Sequence, residues 1–187
     1  MRTFIAVELD AALREPLVKL LRKGLPKDRD VRWCAENQLH VTLKFLGEID
    51  DDRLAKVCEV VRNVSTQIDP FTISLGPLGC FPNPRSARVL WCGIEDAAAG
   101  CRRWVELADP LLEELGIERE TRAFTPHITL GRSKASGGAR VMERVLETIA
   151  PPVAGEMQVA QVVIFESRLR PTGAEYFPLF TTPLGGK

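Results

Sequence analysis

The sequence predicts a single α+β domain of 187 residues, built as two half-copies at approximately 2–79 and 88–181 that flank a central cleft. Three observations predict it. Apolar residues recur with period two in some segments and with helical spacing in others, and the order strand, helix, strand, helix, strand occurs twice. The chain has two histidines, and both open the same word, H-V-T-L at His40 and H-I-T-L at His127. Those words stand 87 positions apart, and the strands and helices around them repeat at offsets of 85 to 87.

In the first half, Arg2 to Leu9 alternates and is rich in Phe, Ile and Val, which predicts a strand. Asp10 stands as an N-cap before a stripe of Leu13, Leu17, Leu20 and Leu21 that ends at Gly24, with Pro16 inside it. Leu39 to Leu46 is the motif strand. Asp50 or Asp51 then caps a helix that turns Leu54, Val57, Val61 and Val64 inward, and Phe71 to Leu78 closes the half as a strand. In the second half Arg88 to Ile94 is a strand, and 97–115 is a helix with Trp104, Leu107, Leu111 and Leu115 inward and a bend at Pro110. His127 to Arg132 is the second motif strand, and Gly138 to Ile149 a helix facing inward with Val141, Val145 and Ile149. Met157 to Glu166 is one long strand and Glu175 to Thr181 an added one. The segments 81–85 and 133–138 are loops.

Composition narrows the function. There are 25 basic and 25 acidic side chains, a formal net charge of zero, whereas a coat that grips duplex nucleic acid by neutralising phosphates is strongly basic. A local groove for one terminal phosphate remains compatible. Five cysteines (Cys34, Cys58, Cys80, Cys92, Cys101) form no C-x-x-C pair, which fits reduced thiols in a cytoplasmic protein. No apolar run approaches the roughly 18 residues that span a bilayer, and the N-terminal segment lacks a signal-peptide core, so no membrane partner is expected.

The motif has its own physical logic. Alternation puts His40, Thr42 and Lys44 on one face of their strand and Leu39, Val41, Leu43 and Phe45 on the other; the second strand sets His127 and Thr129 against Ile128 and Leu130. Each half thus offers an imidazole and a hydroxyl about 7 Å apart along a rigid strand. Histidine gives and takes protons near neutrality. Two imidazoles suit phosphoester cleavage, one deprotonating water and the other protonating the leaving oxygen, while threonine hydroxyls donate to the non-bridging oxygens. No carboxylate or thiolate stands at ligand spacing beside either histidine, so neither metal nor cofactor is expected. Pro126 favours an extended entry into the second motif strand.

These residues carry a resemblance that covers nearly the whole chain. The blocks R-T-F-I-A-V-E-L at 2–9, W-C-A-E-N-Q-L-H-V-T-L-K-F-L-G-E at 33–48, R-V-L-W-C-G-I at 88–94, R-A-F-T-P-H-I-T-L-G-R at 122–132 and L-R-P-T-G-A-E-Y at 169–176 resemble the 2H phosphoesterase superfamily. The closest resemblance is to RNA 2′,3′-cyclic phosphodiesterases, also described as 2′-5′ RNA ligases. It implies a bilobal 2H phosphoesterase fold and metal-independent opening of an RNA terminal 2′,3′-cyclic phosphate to a 2′-phosphate, with weak reverse 2′-5′ ligation. It also implies His40 as proton donor, His127 as proton acceptor, and Thr42, Thr129 and Arg132 as substrate contacts. The partners expected are RNA ends or nucleotides bearing a 2′,3′-cyclic phosphate, met by a monomer.

Secondary candidates are Lys44 on the His40 face, Arg85 and Arg88 beside an RNA backbone, and Phe45, Trp33 and Tyr176 as base-stacking rings, although alternation sends Phe45 to the core. Glu48 reads as part of a turn. Two other functions fit the same words: a 2H esterase for small cyclic nucleotides or ADP-ribose cyclic phosphate, and a non-catalytic RNA- or nucleotide-binding module. Two intact histidine words argue against the latter, since a binder needs neither an acid nor a base.

Overall fold

Among the residues described by the computed structural model (1–135, 137–171 and 173–186), nine strands form one antiparallel sheet. They are β1 (Arg2–Glu8), β2 (Val31–Trp33), β3 (His40–Glu48), β4 (Phe71–Phe81), β5 (Val89–Glu95), β6 (His127–Ser133), β7 (Glu156–Val159), β8 (Gln161–Arg170) and β9 (Gly173–Pro183). Their order is β7-β4-β5-β6-β3-β1-β8-β9, with β2 also paired to β6. The two motif strands are therefore neighbours at the middle, with Val41 opposite Ile128. A pseudo-two-fold axis between them relates β3 to β6, β1 to β5, β8 to β4 and β9 to β7.

The half-copies of the sequence are not the halves in space. β4, which closes the first half-copy, lies against β5, and β8 of the second lies against β1. The first half-copy thus lends β4 to the other lobe, and the second lends β8 and β9. This is why the single strand expected over 157–166 is broken at Ala160: β7 pairs with β4 in one lobe while β8 pairs with β1 in the other. One uninterrupted strand cannot serve both.

Four α-helices cover one face. In α1 (Ala11–Lys19) the Asp10 carboxylate accepts from the Leu13 amide at 3.2 Å, and the helix continues through Pro16 into a wider turn over Leu20–Gly24. In α2 (Asp51–Ser65) Asp50 caps the Arg53 amide at 2.8 Å, and Val57, Val61 and Val64 are wholly buried. Burying each such side chain stabilises by about 1.5–3 kcal/mol.

α3 (Gly100–Glu114) starts three residues later than expected, because Asp96 accepts from the Gly100 and Cys101 amides at 2.9 and 2.8 Å. Its buried stripe is Cys101, Trp104, Val105, Ala108 and Leu112. Leu107, expected inward, is 40% exposed, since the helix turns the stripe of Cys101, Trp104, Ala108 and Leu112 to the core instead. The helix runs through Pro110. Trp104 donates its indole N–H to Ser65 at 3.1 Å, tying α3 to α2 with both polar groups satisfied.

α4 (Gly138–Thr148) buries Met142 and Val145, while Val141 and Ile149 are only half-buried. The loop read at 133–138 and the block at 169–176 include Ser136 and Thr172, which lie outside the described residues. The main core lies between these helices and Ile5, Val7, Val41, Leu43, Ile128 and Leu130 of the sheet. The opposite sheet face carries a second, small cluster of Phe4, Ala6, Val163 and Phe165, with Tyr176 beside it. No helix among the described residues is long and apolar enough to cross a membrane.

Candidate active site

Both motif strands begin as the period-two reading expects and then depart from it at the same place. On β3, Ala6 faces Thr42 and Ile5 faces Lys44, which leaves Leu43 as an extra residue. On β6, Trp91 faces Thr129 and Leu90 faces Gly131, which leaves Leu130 extra. Such bulges reverse the alternation downstream of them. Leu43 and Leu130 again stand 87 positions apart.

The bulges correct two expectations. Lys44 does not share the His40 face: it is 6% exposed beneath α3, with its ammonium 2.7 Å from the Asp109 carboxylate. Phe45 does not enter the core; it is 58% exposed and faces Phe4 across the strand pair, their ring centres 6.2 Å apart. On β6 the counterpart of Lys44 is Gly131, over which the Trp33 indole packs so closely that a Cβ would come within 2.5 Å of it. The counterpart of Phe45 is Arg132, turned to the histidine face.

Pairing of Val41 with Ile128 sets His40 across from Thr129 and Thr42 across from His127. Both Val41 and Ile128 are wholly buried on the helical side, so these four side chains share the opposite face. The histidines stand on a diagonal of this four-residue patch, a spacing of ~7–8 Å for such neighbours.

The imidazoles are held alike. His40 Nδ1 lies 2.7 Å from the Gln38 carbonyl, and His127 Nδ1 lies 2.7 Å from the Thr125 carbonyl. A carbonyl only accepts, so each Nδ1 carries the proton and each Nε2 is left free for acid–base work. Aromatic rings wall both. Phe4 lies 4.8 Å from the His40 ring and Tyr176 meets it edge-on at 5.2 Å. Phe81 meets His127 edge-on at 5.1 Å, with Trp91 at 5.9 Å.

These surroundings lower both proton affinities. Burial holds the His40 pKa down to about 4, against the pull of the Gln38 carbonyl, and the charges of His127 and Arg132 push the same way. Burial also lowers His127, again assisted by Arg132. Arg132 is thus close enough to act on both imidazoles, while its own side chain is exposed.

Of the residues expected from sequence, His40, Thr42, His127, Thr129 and Arg132 come together on one face. Tyr176 belongs to the site as a wall of His40. Trp33 does not; it covers Gly131 and donates its indole N–H to the Pro26 carbonyl at 2.8 Å. Arg85 and Arg88 are exposed on the loop between β4 and β5. Glu48 ends β3 opposite Arg2, its carboxylate 3.4 Å from the N-terminal ammonium, and is not in a turn. The walls Phe4, Trp91 and Phe81 escaped the sequence reading. Phe4 and Trp91 share the 87-residue offset of the histidines, a signal that was legible. Among the described residues no group of three or more His, Cys, Asp and Glu side chains is placed to hold a metal.

Comparison with known proteins follows the same duplication. The family model for LigT-like phosphoesterases matches twice, over residues 7–91 and 93–176. A Methanothermobacter thermautotrophicus protein named RNA 2′,3′-cyclic phosphodiesterase is 31% identical over 182 residues, covering 94% of this chain and 95% of its own length. A crystal structure of a Thermus thermophilus protein superposes with a TM-score of 0.83 at 31% identity, covering all of both chains. Escherichia coli LigT complexed with 3′-AMP superposes with a TM-score of 0.80 at 27% identity, over 98% of this chain and 97% of that one. With both half-copies matched and the whole fold superposed, the chain belongs to the LigT-like phosphoesterase family.

Proposed function

We propose that this chain opens the 2′,3′-cyclic phosphate at an RNA end to a 2′-phosphomonoester, without a metal, with His40 as proton donor and His127 as proton acceptor. The observation that carries the reading is the matched pair of imidazoles. Each has Nδ1 committed to its own backbone and Nε2 free, beside two hydroxyls on one face.

The step balances with these groups alone. His127 Nε2 takes a proton from water as the water oxygen bonds to phosphorus. The bond from phosphorus to the 3′-oxygen breaks, and His40 Nε2–H delivers its proton to that oxygen. Thr42, Thr129 and Arg132 donate to the non-bridging oxygens, where negative charge accumulates. Both imidazoles resist protonation in their own surroundings, and an incoming phosphoryl anion favours the imidazolium. Substrate therefore brings the charge that lets one of the pair hold a proton. The donor and acceptor assignment follows the family resemblance. With an RNA 5′-hydroxyl in place of water, the same geometry yields a 2′-5′ phosphodiester.

Two relatives support the substrate class. One bears the name RNA 2′,3′-cyclic phosphodiesterase, and E. coli LigT holds 3′-AMP, a nucleotide with its phosphate on the ribose ring. We further place the chain in the cytoplasm as a monomer. Five free thiols fit a reducing compartment, and burial pushes those of Cys92 and Cys101 well up, towards unreactive thiol.

The test is hydrolysis of an RNA ending in a 2′,3′-cyclic phosphate by EDTA-treated protein. The expected product is the 2′-phosphate, formed at an undiminished rate. A 3′-phosphate product overturns the leaving-group assignment. Loss of activity on chelation, restored by zinc or manganese, overturns the metal-free step.

A further inference from the structure

Arg132 has a second arginine beside it. Pairing of β2 with β6 sets Arg32 directly opposite Arg132, so the two share a face with Cβ atoms ~4.5–5.5 Å apart. Both are exposed, and among the described residues neither makes an ion pair with a carboxylate. Like charges directly opposed in a sheet destabilise it. A bound anion removes that cost.

The arginine on β6 has no cationic counterpart at the matching position of β3. Across the pseudo-two-fold axis the counterpart of Arg132 is Phe45, and its row continues through Phe4 to Phe165, all apolar. On β6 the corresponding row runs from Arg132 through Val89 to Phe81, so the two related strands differ in the arginine itself, and Arg32 joins it from β2 on the other edge. Arg132 is the nearer arginine, since its charge depresses His40 and His127 alike. Arg32 stands one strand farther out. A 2′,3′-cyclic phosphate carries one negative charge, and Arg132 with two threonine hydroxyls suffices for it. Arg32 then lies where a second anion would follow the first.

We propose that Arg32 binds the phosphodiester that joins the terminal nucleotide to its 5′ neighbour, so that the site selects RNA ends over free nucleoside cyclic phosphates. This rests on the hydrolase reading above and names the substrate class within it. Net charge zero is compatible, because single-site recognition of one internal phosphate needs a local pair of cations and not a basic surface.

The test compares a dinucleotide ending in a 2′,3′-cyclic phosphate with the nucleoside 2′,3′-cyclic phosphate of the same base, using the full chain and its R32Q and R32K variants. The wild-type chain should favour the dinucleotide in kcat/KM by about tenfold, the range of a hydrogen bond to a charged group. R32Q should lose that preference through a raised KM for the dinucleotide, with the dependence of log KM on log salt shallower by about 0.7 for one lost phosphate contact. R32K should regain part of it. Thermal midpoints of the variants report folding separately. Persistence of the preference in R32Q, or an equal loss on both substrates, overturns the role of Arg32. Equal turnover of both substrates by the wild-type chain overturns it as well and leaves the hydrolase reading intact. Turnover of neither substrate overturns both.

Discussion

The ring of Phe4 lies 4.8 Å from the imidazole of His40, on the strand next to it, and seals that imidazole from water on one side. Phe4 is itself 4% exposed, held between Phe165 at 5.4 Å and Tyr176 at 4.9 Å. The burial that lowers the proton affinity of His40 thus comes from neighbouring strands, with Phe4 of β1 and Tyr176 of β9 against the ring, and not from the motif word alone.

Replacing Phe4 with alanine should admit water and raise the His40 pKa from about 4 towards its ordinary 6.5, leaving His127 nearly unmoved. With two histidines in the chain, their ring-proton NMR resonances can be titrated separately. Unchanged titration of His40 in F4A would show that the ring does not control it.

The same depression links stability to acidity. The unfolded chain takes up a proton at His40 near pH 6.5, whereas the folded chain does so only near 4. Stability should therefore fall as pH drops from about 6.5 to 4, by up to roughly 3 kcal/mol from this group, and the loss should be complete below the folded value. Urea unfolding across that range measures it, and a His40→Gln variant should lose that part of the slope.

Removing either imidazole should cut kcat by about 10² to 10⁴. A substrate whose bridging 3′-oxygen is replaced by sulfur has a leaving group that needs no proton. It should restore turnover to His40→Ala but not to His127→Ala. Rescue of the opposite variant would exchange donor and acceptor.

Thr42→Val and Thr129→Val keep the shape of the side chain and delete the hydroxyl. Each should lower kcat by about 10², with smaller effects on KM, if the hydroxyls hold developing charge in the transition state. A rise in KM alone would reassign them to ground-state binding.

Beneath the site, Lys44 and Asp109 form an ion pair that joins β3 to α3, both groups being largely buried. Asp109→Asn strands the ammonium and should destabilise the fold by about 3–5 kcal/mol. Replacing both partners with apolar residues, Lys44→Met with Asp109→Leu, should restore much of it. Denaturant midpoints of the two variants check the comparison.

The histidine words and their common offset were enough to read the duplicated strand–helix order and the residues His40, Thr42, His127 and Thr129. These depend on local periodicity and on residue identity, which a chain displays along its length. The same holds for the caps at Asp10 and Asp50, since a cap is made with an amide three residues away.

What the tertiary structure decided involves pairing between distant segments. Lys44 and Phe45 exchange faces because a bulge at Leu43 is set by the register against β1, which alternation within β3 does not contain. The aromatic walls come from β1, β4, β5 and β9, and the exchange of β4 and β8 between lobes splits the strand expected over 157–166. The opposition of Arg32 to Arg132 joins residues a hundred positions apart through one sheet register. A sequence carries the period of each strand, but which strand lies beside it, and in which register, is settled by packing the whole sheet against the helices.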